Sequence, residues 1–282
     1  MFSLTEIIGK NNLSGIEILD IGAMFAGDDT EIYSPLLKTG IGKVTGFEAL
    51  SNECEKLNKK YNPKHKFFPY FVGDGQKKNF YITNTLMTSS LYEPNRTLID
   101  LFLNLGTVMQ VEKVEEVQTK RLDDISEIPK DIDYIKIDTQ GSELEILVNG
   151  EKMLETAVAV HTEVEFVPLY KNQPLFGDID IFLRSKGFVF HRFSNISGRS
   201  FIPIVSEDTP NKPLSQYLWA DAVYVKDFLN LAWLKPEKIL KLAVILHDIY
   251  RSFDLCHHIL SEYDKITNSS LTSLYRKKLF GG

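Results

Sequence analysis

The feature that most constrains this chain is an alternation. Over the first 190 residues, short apolar strand-like runs take turns with helix-like segments. Such a pattern favours a mostly parallel sheet covered by helices on both faces. The candidate strands are residues 17–21, 44–48, 66–72, 134–138 and 158–164, each rich in Ile, Val, Phe or Tyr and ending beside Gly, Asp or Glu. Helices are predicted at 52–61 and 141–149, with another at 178–186 after the fifth strand.

Two further strands, 187–193 and 219–225, are separated by a segment containing Gly198, Pro203, Pro210 and Pro213, too loop-like for a crossover helix. They are predicted to be an antiparallel pair closing one edge, an addition that parallel sheets commonly carry. From Asp227 the character changes. Ile239, Leu240, Leu242, Ala243, Leu246 and Ile249 form an amphipathic stripe after Pro236, a good first-turn residue, and a second helix is expected through Leu255, Ile259 and Leu260. The expected division is a main domain over 1–226 and a helical extension over 227–282, serving as a cap or as a homodimer element.

Composition narrows the partners. The formal charge of −6 argues against a large phosphate-tracking surface, so nucleic acid is not expected. Cys54 and Cys256 lie far apart with no CxxC spacing, which fits a reducing compartment and offers no thiolate metal site. The start of the chain shows no basic region followed by an apolar run, and no apolar stretch approaches a membrane span of ~20 residues. A cytoplasmic protein without a membrane span is the expectation.

Four strand ends carry polar chemistry. Ile18-Leu19-Asp20-Ile21-Gly22-Ala23 closes a strand with an acid and then a glycine, which permits a tight turn and close ligand approach. A purely structural turn has the same form, and the dinucleotide fingerprint G-x-G-x-x-G is missing. Glu48 ends the next strand and could accept hydrogen bonds from both hydroxyls of a ribose; a solvated strand-end carboxylate is the plain alternative. The two acids, one βαβ unit apart, point together to a nucleoside. Asp74, between Gly73 and Gly75, could accept from an exocyclic amine such as adenine's or simply make a turn. The fourth strand runs Tyr134-Ile135-Lys136-Ile137-Asp138, followed by Thr139-Gln140-Gly141-Ser142-Glu143-Leu144-Glu145.

That last run resembles the signature of the FkbM-type methyltransferases, K-I-D-x-[EQ]-G-x-E-x-x-x-L. Other stretches are similar in the expected order: Asp20-Ile21-Gly22-Ala23, Gly46-Phe47-Glu48, Thr88-Ser89-Ser90-Leu91-Tyr92-Glu93-Pro94, Arg121-Leu122-Asp123-Asp124 and Thr162-Glu163-Val164-Glu165 through Tyr170. The likeness covers residues 18–225. It implies a seven-stranded, doubly wound Rossmann-like sheet, S-adenosylmethionine as cofactor, and an acceptor hydroxyl on a sugar, glycan or other small metabolite. Asp20, Gly22, Ala23, Glu48 and Asp74 would then contact the cofactor. The first motif departs from the family's D-x-G-A-N-x-G: Met24 replaces Asn and the second glycine falls at Gly27, while Ala49 stands where Pro is usual.

Methyl transfer to an alcohol gains most from alignment and needs a group to take the hydroxyl proton. Asp138 is the first candidate by position, and it could also cap the following helix; Glu163, near the end of the fifth strand, is the second. His161 is left out, as a packed histidine explains it equally. His247-Asp248 and Cys256-His257-His258 read as helix-surface residues without a complete metal-ligand set. Pro168, Tyr170, Gln173 and Phe176 lie on a loop that could line an acceptor pocket. Two rivals stand beside this reading: a nicotinamide-dependent oxidoreductase, and a non-catalytic binding module with an altered cofactor loop.

Overall fold

A computed structural model describes residues 2–9, 13–24, 31–61, 63–205 and 213–281. Its strands are β1 (Ile16–Ile21), β2 (Gly42–Phe47), β3 (Lys66–Phe68), β4 (Phe71–Gly73), β5 (Lys77–Thr83), β6 (Val111–Arg121), β7 (Tyr134–Ile137), β8 (Ala159–Glu165), β9 (Phe188–Ser197) and β10 (Trp219–Lys226). Among them run α1 (Thr5–Ile8), α2 (Ser34–Lys38), α3 (Ser51–Lys60), α4 (Arg96–Ile99), α5 (Leu105–Val108), α6 (Glu143–Val148), α7 (Glu151–Thr156) and α8 (Phe176–Ser185). The chain continues with α9 (Pro236–Val244), α10 (Phe253–Thr267) and α11 (Leu271–Phe280).

Seven strands form one sheet in the order β3-β2-β1-β7-β8-β10-β9. β3, β2, β1, β7 and β8 pair in parallel, and β10 pairs antiparallel with both β8 and β9. The expected antiparallel pair at one edge is therefore present. The reversed strand is β10, one place in from the rim, and β9 forms the rim. The order puts the first and fourth long strands side by side at the centre, so the ends of β1 and β7 meet where the connections diverge to either side. Ligands of open α/β sheets bind at such a switch point.

Strand parity divides the core in two. Ile16 and Ile18 of β1 and Tyr134 of β7 face a cluster that includes Leu36, Leu57, Ile239, Leu242, Ile259 and Tyr275, so α2, α3 and the C-terminal helices cover this side. Leu19, Ile21, Ile135 and Ile137 face the other way, onto Ile146, Leu154, Ile179 and Leu183 of α6, α7 and α8. The extension beyond residue 227 thus shares a core with the sheet. Its first helix is pinned at the bottom of β7, where Lys238 and Lys241 reach the buried Asp133 carboxylate at 2.6 and 2.9 Å. No helix among the described residues is long and apolar enough to cross a membrane.

Two elements differ from expectation. The run 66–72 is two strands in two sheets, because Pro69 has no N–H to continue the ladder; β4 instead pairs with β6. A three-stranded sheet, β4-β6-β5, stands beside the main one. The segment between β5 and β6 carries α4 and α5 and makes its own small core of Ile99, Phe102, Leu105 and Met109 with Leu169, Tyr170 and Leu218. That packing closes one side of the site. The turn 245–249 at the end of α9 is a π-helix rather than a plain continuation, and His247 within it is buried, not on a helix surface. His247 bonds the Tyr275 hydroxyl at 2.9 Å and the Phe2 carbonyl at 3.1 Å, while Asp248 accepts from Ser3 Oγ and Leu4 N–H.

Candidate active site

Register sets the site's floor. Asp20 of β1 lies directly opposite Gly46 of β2 on one side and Lys136 of β7 on the other, and Lys136 lies opposite His161 of β8. These side chains share one face of the sheet. The Asp20 carboxylate is fully buried, accepts the Tyr33 hydroxyl at 2.6 Å and stands 3.3 Å from Lys136 Nζ. Burial alone would drive Lys136 toward the neutral amine, but Asp20, then Asp138 and Glu31, outweigh it and keep the ammonium charged. Burial pushes the Tyr33 hydroxyl well above its usual range, so it stays a donor to Asp20.

Gly22 follows at φ +80°, a conformation that disfavours side chains, and a Cβ there would sit 1.8 Å from the Asp138 carbonyl oxygen. Glycine is required because the ends of β1 and β7 touch. The Gly22 and Ala23 N–H groups both donate to the Phe47 carbonyl, at 2.9 and 3.0 Å. Asp20 and Ala23 lie below the cleft as supports, while Gly22 and Met24 line it. Phe25 to Asp28, which carry the displaced second glycine, lie outside the described residues.

A cleft opens over the ends of β1, β2, β4 and β7. Its wall is apolar: Phe47, Leu50, Tyr70, Val72, Phe80 and Leu91. Glu48 lines it as a buried acid, only 6% exposed. Its Oε1 accepts the Leu50 N–H at 2.8 Å, and among the described residues no hydrogen bond reaches Oε2. Burial raises the Glu48 carboxyl above its usual value, against the pull of the Leu50 N–H.

Asp74 is elsewhere. It makes the β4–β5 turn, accepting the Gln76 N–H at 2.9 Å and pairing with Lys78 at 3.1 Å, and it does not line the cleft. Burial opposes ionisation there, yet the Gln76 N–H and Lys78 prevail and hold its carboxyl below the usual range. The turn explanation accounts for all its partners.

The loop after β7 draws the remaining polar groups together. Glu143, 1% exposed at the start of α6, accepts the N–H groups of Thr139 and Gly141 at 2.8 and 2.9 Å and so clamps the loop from below. Burial raises its carboxyl to about 7 despite those donors. Gln140 is in the left-handed region at φ 60°. Its Nε2 donates to Asp138 Oδ1 at 3.0 Å and to Glu163 Oε2 at 2.5 Å, while its Oε1 accepts the Tyr170 hydroxyl at 3.1 Å. The structure therefore brings Asp138 and Glu163 onto one amide. Asp138 lines the cleft; Glu163 lies one amide behind it. Burial, followed by the charges of Asp138 and Glu165, pushes the Glu163 carboxyl well above the carboxylate range. His161 bonds Tyr250 Oη at 3.1 Å, and burial lowers it to about 4, so it is a neutral packed histidine.

Sequence reasoning missed Lys136, Gln140 and Glu143 as members of this constellation, although all three stand inside the motif quoted for it; Tyr170 was named only as a residue of a loop that could line an acceptor pocket. Their spacing was visible; that Gln140 reaches Glu163 and Tyr170 while Lys136 pairs with Asp20 needed the fold.

A doubly wound sheet in this order, with an apolar cleft at the switch point and a buried carboxylate facing it, has the architecture of the Rossmann-like methyltransferase class. The model of the methyltransferase FkbM domain matches residues 20–190, more than half of the chain. The chain belongs to the FkbM methyltransferase family, whose methyl donor is S-adenosylmethionine. No curated protein matches the sequence. Solved structures similar to it include a putative methyltransferase from Thermoplasma acidophilum, 11% identical with a TM-score of 0.37, covering 76% of this chain and 70% of that one. Another is the precorrin-6y C5,15-methyltransferase of Geobacter metallireducens, 14% identical, TM-score 0.38, over 76% and 82% of the two chains. A third is the plantazolicin methyltransferase BpumL in complex with a triazolic desmethylPZN analog and SAH, 11% identical, TM-score 0.38, over 79% and 81%.

Proposed function

We propose that this chain methylates a hydroxyl of a sugar, glycan or other small metabolite, with Glu48 holding the ribose of S-adenosylmethionine and Asp138 receiving the hydroxyl proton. The observation that carries the reading is Glu48: a buried carboxylate with one oxygen anchored by Leu50 N–H and the other unbonded, facing an apolar cleft. Oε2 carries no hydrogen bond from the described residues and is open to the cleft, where the hydroxyls of a diol could donate to it. The apolar wall of Phe47, Leu50, Tyr70 and Val72 suits a purine, which needs area more than charge. When bound, the cofactor supplies an electrophilic methyl group.

The chain's own residues do the rest. The Asp20–Lys136–Tyr33 cluster and Gly22 fix the floor. Leu86, Met87 and Leu91, from the segment after β5, add apolar surface to the cleft. Asp138 stands at the lip, within the reach a base needs to accept a proton from a hydroxyl seated there. Glu163 supports it from behind. A metabolite acceptor, rather than nucleic acid, agrees with the net charge of −6.

The test is calorimetric titration of S-adenosylmethionine and S-adenosylhomocysteine into the native chain and Glu48→Ala. Binding that weakens at least tenfold in the variant supports the site, since hydrogen bonds to a charged group are worth about 1.5–3 kcal/mol. Equal binding by both proteins, or none by the native chain, refutes it. Screening hydroxyl acceptors with Asp138→Asn as the control then tests the chemistry.

A further inference from the structure

We infer that Gln140 is a positioning residue: its side-chain amide, oriented by Tyr170, ties Asp138 and Glu163 into one coupled carboxylate pair and aims Asp138 at the cleft. The inference rests on the reading of Asp138 as proton acceptor, and it deepens that reading by saying what holds the acceptor in place.

The amide has two ends, and each has its own partners. Tyr170 Oη donates to the Gln140 side-chain oxygen at 3.1 Å. The single Oη proton is shared with the Thr88 carbonyl at 3.0 Å, and the ring is fully buried. The NH2 end faces the two carboxyl groups. Both of its N–H groups are used, one on Asp138 and one on Glu163. The backbone is held too: Ser90 Oγ donates to the Gln140 carbonyl at 2.6 Å. Ser90 and Thr88 belong to the segment whose Ser89 and Leu91 line the cleft. The cofactor wall and the carboxylate pair are thus fastened to the same residue.

Two further observations separate this from an ordinary loop contact. Gln140 occupies the left-handed region, which costs a residue with a long side chain about 1 kcal/mol and is retained where surrounding structure enforces it. A glutamate here would also present a third carboxylate to Asp138 and Glu163, whereas glutamine presents two donors. Charged groups face the pair from every neighbouring element: Lys136 on β7, Glu143 on α6, Glu165 on β8 and Asp221 on β10. Acids outnumber the one lysine around Glu163, and burial together with those charges holds its carboxyl well above the carboxylate range, while Gln140 supplies an N–H donor to each carboxyl group.

The experiment is a carbon-13 NMR titration of the side-chain carboxyls in the full chain, with Asp138→Asn and Glu163→Gln spectra to assign the two signals. It is repeated on Gln140→Met, which fills the same volume without donors, and on Tyr170→Phe, which frees the amide to turn. The inference expects the midpoints of both Asp138 and Glu163 to rise by about one pH unit in Gln140→Met, and in the same direction by less in Tyr170→Phe. A merely structural Tyr170 would leave Asp138 unmoved, since it does not touch it. Unchanged midpoints in the folded variants overturn the inference, and Tyr170→Phe decides alone if Gln140→Met does not fold. Cofactor binding by the native chain is read separately, so a failure of the proposed function is distinguishable from a failure of this clamp.

Discussion

Two strand-end acids of this molecule, Asp20 and Glu48, look alike in sequence and differ in the fold. Asp20 closes β1 with its carboxylate given to Tyr33 and Lys136, and Gly22 beyond it is pressed against Asp138. Glu48 follows β2 with one oxygen tied to Leu50 and the other unbonded at an apolar cleft. The difference teaches that a strand-end acid is assigned by which of its oxygens are already engaged. The β1 end is a foundation; the β2 end is an open hand.

Substitutions should separate the two ends. Gly22→Ala is expected to be the most damaging, by about 4 kcal/mol or more in urea denaturation, because φ +80° and the 1.8 Å contact with Asp138 both exclude a Cβ. Asp20→Asn leaves Lys136 charged and buried, and should cost about 3–5 kcal/mol. Adding Lys136→Met to it should restore part of that loss; strictly additive losses in this double-mutant cycle would show that the pair is not coupled. Glu48→Gln, by contrast, should leave the melting temperature unchanged or slightly raised, while S-adenosylmethionine affinity drops by about tenfold. A large loss of stability in Glu48→Gln would place it with the foundation and erase the contrast.

The pH dependence is the subtlest discriminator. Glu48 accepts hydroxyls best when ionised and its carboxyl is raised above 4.5, so affinity should fall with acidification from a higher pH than an ordinary glutamate would give. Glu143 works on stability instead. Its folded value near 7 lies above the unfolded 4.5, so the stability it contributes is full below 4.5 and is lost as pH rises through 7. Glu143→Gln should flatten that part of the stability curve without altering the pH dependence of cofactor affinity. An altered affinity profile would make Glu143 part of the binding site.

The legible parts of the chain were those whose burial writes a strong pattern. β1, β2, β7 and β8 lie at the sheet's centre, covered on both faces, and their apolar runs locate them to within two residues. β6 was illegible because it is exposed nearly throughout: Val111-Glu112-Lys113-Val114-Glu115-Glu116-Val117 carries its valines three apart, a helix-like spacing on a strand. α11 buries Tyr275 and little else, so its stripe is faint. At the site, Asp138 was named from its place after a strand, and Glu163 from its place near the end of another. Gln140 joins them, and a glutamine in a loop has no periodicity to betray it. Its importance lies in joining its near neighbour Asp138 to Glu163 and Tyr170, which the fold brings to it from later in the chain.

The packing of the C-terminal helices against β1 and β7 has a consequence for how the molecule is made. Ile16, Ile18 and Tyr134 find their cover in Ile239, Leu242, Ile259 and Tyr275, and Ser3 and Leu4 are held by Asp248. During synthesis, one side of the sheet therefore waits for residues more than two hundred positions later. At about 5–20 residues per second, that wait lasts roughly 10–50 s. Through that interval the nascent chain carries a bare, sticky face, and a chaperone's hold on it would be released by the arrival of the last helices.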